Sequence, residues 1–206
     1  MNNVIKRVIC VPLIVTMIFI VFGGSAHATE AKTVAEASVY EGSGDSVIEL
    51  EDRTDAWVLY VKGNSSGRHF SVKGYNEDGN GTELFVNTTD KYEGITLDPS
   101  LSTTILEISA TGDWHIEQRS IFTLDIVQAG DIYTGSGDSV LLVASYGKTA
   151  KITGNKSERH FAVKSYGSSR NSLLVNTTDK YEGTVMMKGE PMMIEIKAVG
   201  DWTIEF

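Results

Sequence analysis

The chain has almost no means of covalent stapling. It carries a single cysteine, Cys10, inside an apolar run near its start. A disulfide, a cysteine nucleophile and a cysteine metal site are therefore excluded from everything downstream. Proline is scarce, with 3 in 206 residues. No stretch after residue 28 repeats its apolar positions with a helical period. Positive charge is also in deficit. Removing Lys6 and Arg7 from the 18 basic residues leaves 16 against 27 acidic ones, a formal charge of −11. That balance argues against nucleic acid and against an anionic membrane surface as partners.

What stands at the front is a targeting pattern. Lys6 and Arg7 form a short basic start, residues 8–22 are almost wholly apolar, and Ala26-His27-Ala28 reads A-x-A. This is the layout of a bacterial-type secretory signal peptide cut after Ala28. The apolar run is shorter than the roughly 20 residues that span a membrane. The expectation is a secreted, extracellular protein with a signal peptide at 1–28, a flexible leader at 29–39 and no membrane association after cleavage.

The rest of the chain is written twice. Val86-Asn87-Thr88-Thr89-Asp90-Lys91-Tyr92-Glu93-Gly94 returns letter for letter at residues 175–183. Gly42-Ser43-Gly44-Asp45-Ser46-Val47 returns at 135–140, Arg68-His69-Phe70 at 159–161, and Gly112-Asp113-Trp114 at 200–202. The offset falls from 93 to 91, 89 and 88 along these blocks. Deletions are tolerated in loops and costly within strands. The three length changes therefore predict loops before Arg68, at residues 76–81 and between Gly94 and Gly112. The domains expected are 40–118 and 133–206, with residues 119–132 as an ordered linker because Ile121, Phe122, Leu124, Ile126 and Val127 are apolar.

Inside each unit the apolar positions alternate. Trp57, Leu59 and Val61 alternate with Val58, Tyr60 and Lys62; Phe70/Val72, Leu84/Val86, Leu106/Ile108 and Trp114/Ile116 recur at period two. The second unit repeats this with Phe161/Val163, Leu173/Val175, Ile194/Ile196 and Trp202/Ile204. Short runs of this kind between Gly, Asn, Asp and Ser predict an all-β chain of two tandem, jelly-roll-like antiparallel β-sandwich domains after the signal peptide. The GSGD start, the strand ending in FVN or LVN, the Tyr-x-Gly step and the closing GDW-x-IE together resemble a small β-sandwich repeat of bacterial secreted proteins and lipoproteins. The resemblance covers both units and implies an extracellular module without an assigned activity; it carries over no catalytic residues.

Each motif has a structural and a functional reading. VNTTDKYEG reads as strand end, tight turn and strand start, with Tyr92 and Tyr181 half-buried and their hydroxyls bonded to backbone. As a repeated ligand loop it offers Asn87, Thr88, Asp90 and Lys91 and their counterparts Asn176, Thr177, Asp179 and Lys180. His69 and His160 precede inward phenylalanines, which puts both on an outer strip beside the loops. Asp45 and Asp138 are expected to bond backbone at a strand entry; a serine-nucleophile turn lacks its following glycines, and a calcium role for these acids or for residues 76–81 is the weaker reading. Trp114 and Trp202 are expected in the cores. Trp57 aligns with Lys148, so it is expected to be dispensable to the fold and free to act as an exposed aromatic. Met186, Met187, Met192 and Met193 flank one turn and suit a domain contact or an adaptable apolar patch.

No catalytic signature stands out, and no metal or cofactor is implied. A hydrolase needs two acids set around a cleft, and these acids are scattered. A carbohydrate-binding module needs aromatic platforms, for which Trp57, Tyr75 and Tyr166 are the candidates. A non-enzymatic interaction module needs only a repeated surface, and tandem units raise avidity. The expectation is the last of these, binding protein or cell-envelope material, glycan included, through the residues named above, with the carbohydrate-binding module as the alternative.

Overall fold

The computed structural model describes residues 36–206. The expected signal peptide and the first part of the leader lie outside the described residues. The first repeat forms β1 (Ser38–Ser43), β2 (Ser46–Glu49), β3 (Trp57–Gly63), β4 (Phe70–Tyr75), β5 (Gly81–Thr88), β6 (Tyr92–Thr96), β7 (Ile105–Ser109) and β8 (Asp113–Ser120). A 3-10 turn (Ile121–Thr123) and β9 (Ile126–Val127) follow. The second repeat forms β10 (Ile132–Ser136), β11 (Ser139–Val143), β12 (Thr149–Gly154), β13 (Phe161–Gly167), β14 (Ser172–Thr177), β15 (Tyr181–Met186), β16 (Pro191–Lys197) and β17 (Asp201–Glu205). The shifts in offset between the repeats fall in connections: 50–56 against 144–148, 76–80 against 168–171, and the stretch between β6 and β7 against that between β15 and β16.

The chain is all-β, in four sheets. The first repeat holds β1-β8-β3-β6 and β2-β7-β4-β5. The second holds β10-β17-β12-β15 and β14-β13-β16-β11, with β9 added at the edge beside β11. The β9–β11 pairing is parallel and the other described pairings are antiparallel. The inward residues of both sheets of a repeat meet in one cluster. In the first it includes Leu59, Phe70, Val72, Leu106, Ile108, Trp114 and Ile116. In the second it includes Ile152, Phe161, Val163, Ile194, Ile196, Trp202 and Ile204. Each such side chain contributes about 1.5–3 kcal/mol by leaving water.

The repeated motifs at the two ends of a unit form one clasp. Trp114 packs flat against Gly42, where an added Cβ would fall 2.3 Å from the ring; Trp202 and Gly135 repeat this at 2.3 Å. The indole N–H of Trp114 donates to Gly44 O at 3.1 Å, and that of Trp202 to Gly137 O at 2.9 Å. Gly44 and Gly137 sit at φ 71° and 74°, the left-handed region that glycine enters without strain. Asp45 Oδ1 accepts from Ala110 N–H at 2.9 Å, and Asp138 Oδ1 from Ala198 N–H at 2.8 Å. The carboxylates thus cap a turn, as the sequence suggests.

Three sequence expectations are corrected. Leu84 and Leu173 point outward, although alternation paired them with the inward Val86 and Val175. A β-bulge is the reason. Val72 faces Val86 but Lys73 faces Leu84, so Phe85 is the extra residue and turns into the core. Val163, Lys164, Val175 and Leu173 repeat the step around Leu174. Trp57 is not an exposed aromatic: it is 5% exposed within the first core. Strands β3 and β8 run further in the first repeat, where Trp57 pairs with Ser120. The second core has no counterpart to Trp57; Val127 and Met187 lie in it and Phe206 packs against it. The tyrosine hydroxyls are not tied to backbone, as described below.

A third apolar cluster joins the repeats. Val58 and Leu97 of the first repeat meet Leu124 of the linker and Val140 of the second, with Ile95, Ile121, Leu142, Tyr166 and Met193 against them. Val58 and Ile95 are the outward residues of β3 and β6. The outer face of one sheet of the first repeat therefore lies on the outer face of the opposite kind of sheet of the second.

Candidate functional site

Beside this seam the polar motifs of both repeats converge. The VNTTDKYEG turn is held from below by Asn64, which sits at φ 57°. Its Nδ2 donates to Asp90 O at 2.8 Å and to Arg68 O, and its Oδ1 accepts from Arg68 N–H at 2.8 Å. Asn155, at φ 59°, holds the second turn through Asp179 O at 2.9 Å and through Arg159. Within each turn the threonine hydroxyl accepts the aspartate N–H, Thr88 from Asp90 and Thr177 from Asp179, both at 3.0 Å. The paired Asn64 and Asn155 were missed from sequence; their signal is the dipeptide Gly-Asn recurring at 63–64 and 154–155.

The first turn then meets the start of the second repeat. Tyr92 lays its ring on Phe70, with centroids 6.4 Å apart, and its hydroxyl donates to Asp138 Oδ2 at 2.8 Å. Ile95 N–H donates to Asp138 O at 2.9 Å. Gly94 permits this approach, since a Cβ there would stand 2.9 Å from the Asp138 Cβ. Arg159 reaches across to Asp90 at 3.1 Å. Lys197 donates to Phe85 O at 3.2 Å and lies 3.6 Å from both Asp138 and the buried Glu195. Burial, followed by the Asp138 charge, raises the Tyr92 pKa well above 10.0, so this hydroxyl stays a donor. Burial and the Glu195 carboxylate, 2.7 Å away, likewise raise that of Tyr166. Lys197 was also missed; its counterpart is Ser109, so the repeat pattern carries no trace of it.

A groove of about 540 Å³ follows the seam, lined among others by Asn87, Thr88, Asp90 and Lys91 from the first repeat and Ser136, His160 and Lys197 from the second. Of the residues singled out from sequence, these bring together Asn87, Thr88, Asp90, Lys91 and His160. Thr88 and Asp90 spend their side chains on the turn and on Arg159. Asn87, Lys91 and His160 are exposed and have no side-chain hydrogen bond or ion pair among the described residues. His69, Asn176, Thr177, Asp179 and Lys180 do not line the groove; His69, Asn176, Asp179 and Lys180 are exposed elsewhere.

No protein-family model matches this chain, and no curated protein matches it. The acids that line the groove serve the fold: Asp138 accepts from Tyr92 and Ala198, Asp90 pairs with Arg159, and Glu93 accepts from Tyr60 and pairs with Lys62. The loop at 76–80 closes on itself, with Asn76 Oδ1 accepting Asn80 N–H at 2.8 Å and Gly79 N–H donating to Asn76 O at 2.9 Å. Among the described residues no group of three or more His, Cys, Asp or Glu side chains is arranged to hold a metal. What the groove presents is an amide, an ammonium and an imidazole among apolar lining residues that include Leu84 and Val199.

Proposed function

We propose that the protein is a secreted, non-enzymatic interaction module that binds protein or cell-envelope material along the groove between its repeats. One observation carries this reading. Asn87 and Lys91 come from one repeat and His160 from the other, yet all three line one groove with uncommitted side chains. Neither repeat alone would form that surface, which gives the duplication a use beyond avidity. The groove suits an extended polar ligand that supplies acceptors to Lys91 and exchanges amide hydrogen bonds with Asn87. The carbohydrate alternative is weakened because Trp57 is in the core and Tyr166 packs into the seam.

The finer architecture belongs to the same reading. In each repeat the first strand pairs with the eighth, the second with the seventh, the third with the sixth and the fourth with the fifth. That order supports two tandem jelly-roll domains. Secretion predicts a mature N-terminus at Thr29, read by sequencing the protein from culture medium. The binding test is retention of the mature protein on cell walls, on immobilised secreted proteins and on a glycan array. Combined Lys91→Glu and His160→Ala should abolish retention, whereas Asn176→Ala with Lys180→Glu, outside the groove, should not. Retention by neither walls nor proteins, or equal loss from both pairs, contradicts the reading.

A further inference from the structure

Several of the polar contacts that join the repeats use residues that each repeat possesses, yet each repeat uses only half of that set. Across the seam, Tyr92 and Ile95 of the first repeat engage Asp138 of the second, and Asp90 engages Arg159. The same residue types stand unused at the β15 edge of the second repeat and at the β1–β2 turn of the first. Tyr181 is the counterpart of Tyr92, and its hydroxyl has no hydrogen-bond partner among the described residues; its ring lies on Phe161 as Tyr92 does on Phe70. Thr184, the counterpart of Ile95, faces Lys151 in the register in which Ile95 faces Tyr60. Its N–H is therefore directed off the edge strand β15. Gly183 repeats the small residue that lets the partner approach.

At the opposite end Asp45 matches Asp138. Its Oδ1 is occupied by Ala110 N–H and Ser109 Oγ, while Oδ2, the oxygen that Tyr92 reaches on Asp138, has no partner among the described residues. The Arg68 and Asp179 side chains, counterparts of Arg159 and Asp90, are exposed and have no partner among the described residues. The apolar part is reproduced in part. Val47 stands for Val140 and is 65% exposed; Met186 stands for Leu97 and is 60% exposed. Tyr75 and Ile105 stand for Tyr166 and Met193. Thr149, Thr184 and Glu49 replace Val58, Ile95 and Leu142, and Ser109 replaces Lys197.

We infer that the β15 end of one copy of this chain docks on the GSGD end of a second copy, repeating between molecules the junction within the molecule. The occupant of each free face is thus another copy, with Tyr181 and Thr184 on Asp45, and Asp179 on Arg68. Such an interface is heterologous: the two surfaces differ, so each added copy leaves a fresh pair of free faces. The product is an open head-to-tail array rather than a closed dimer. The three apolar-to-polar replacements, and serine in place of Lys197, make the contact weaker than the internal one, so assembly depends on concentration. The inference also accounts for the residues that remained identical between repeats. GSGDS, RHF and VNTTDKYEG contain the groups that cross a junction.

The test is sedimentation equilibrium of the mature full-length chain over a micromolar-to-millimolar series. The weight-average mass should rise without a plateau at the dimer. Arg68→Glu and Asp179→Arg each place like charges together and should lower the association constant several-fold. Both residues are exposed and unpaired, so folding should be unaffected, which circular dichroism checks. The two substitutions in one chain restore an opposite-charge pair and should recover association. A monomer mass throughout, a closed dimer, or association indifferent to the single substitutions overturns the inference. Failure to bind walls or proteins in the groove would leave it untouched, because none of these residues line that groove.

Discussion

Asp45 and Asp138 hold the same place in the two repeats, but the structure loads them unequally, and substitution to alanine exposes the difference. Asp138 accepts from the Tyr92 hydroxyl and from Ala198 N–H and lies 3.6 Å from Lys197. Its side chain is 12% exposed. Asp138→Ala leaves a hydroxyl and an amide without partners at the seam, and a buried polar group left unmade costs about 1–3 kcal/mol. Lys197 keeps Glu195 and Phe85 O. Some water reaches the site, so the sum lies near the lower half of the range, about 2–4 kcal/mol. Asp45→Ala frees only Ser109 Oγ and Ala110 N–H at an exposed turn, and should cost about 1 kcal/mol or less. Urea unfolding of both variants, compared at equal m-value, measures the difference. Equal losses would refute the argument, since they would mean that Asp138 does nothing beyond capping its own turn.

Trp57→Ala should destabilise the first repeat by about 3–5 kcal/mol, comparable to Trp202→Ala in the second; a loss near zero would put the ring outside the core. Gly135→Ala drives a methyl into the Trp202 ring and should cost about 1–3 kcal/mol, read as a lowered melting temperature, and an unchanged temperature would show that the clasp is loose. The seam should also open in alkali. The folded pKa of Tyr92 lies above its unfolded value of 10.0, so its contribution is complete below pH 10.0 and is lost as pH rises toward the folded value. Stability followed from pH 8 to 11 should fall more steeply in the native protein than in Tyr92→Phe, and parallel curves would remove Tyr92 from the account.

Much of the fold was legible because the duplication acts as an internal control. Glycine, aspartate and tryptophan at matched positions pointed to backbone geometry, and the clasp of Gly42, Asp45 and Trp114 has that character. Shifts in offset marked loops because strands resist insertion. The same control misled at Trp57. A residue absent from one copy need not be surface, since the longer β3 and β8 create a core position that the second repeat lacks. Alternation failed at Leu84 because a bulge inserts one residue, and nothing in Glu83-Leu84-Phe85-Val86 announces it. The candidate site was half legible. Comparing repeats selects what is common, whereas the seam also depends on differences: Lys197 against Ser109, and Val58 and Ile95 against Thr149 and Thr184. Outward apolar residues in one copy facing threonines in the other were the available sign that one face is covered.

The central claim, that ligand is held in the groove between the repeats, is tested most directly by amide shift mapping. Isotope-labelled mature protein is titrated with solubilised cell-wall fragments and with fractionated secreted protein. The account predicts that shifts concentrate at Asn87, Lys91, His160 and Ala198, on both sides of the seam, and spare Asn176 and Lys180. Shifts centred on the second turn, or confined to one repeat, would contradict it.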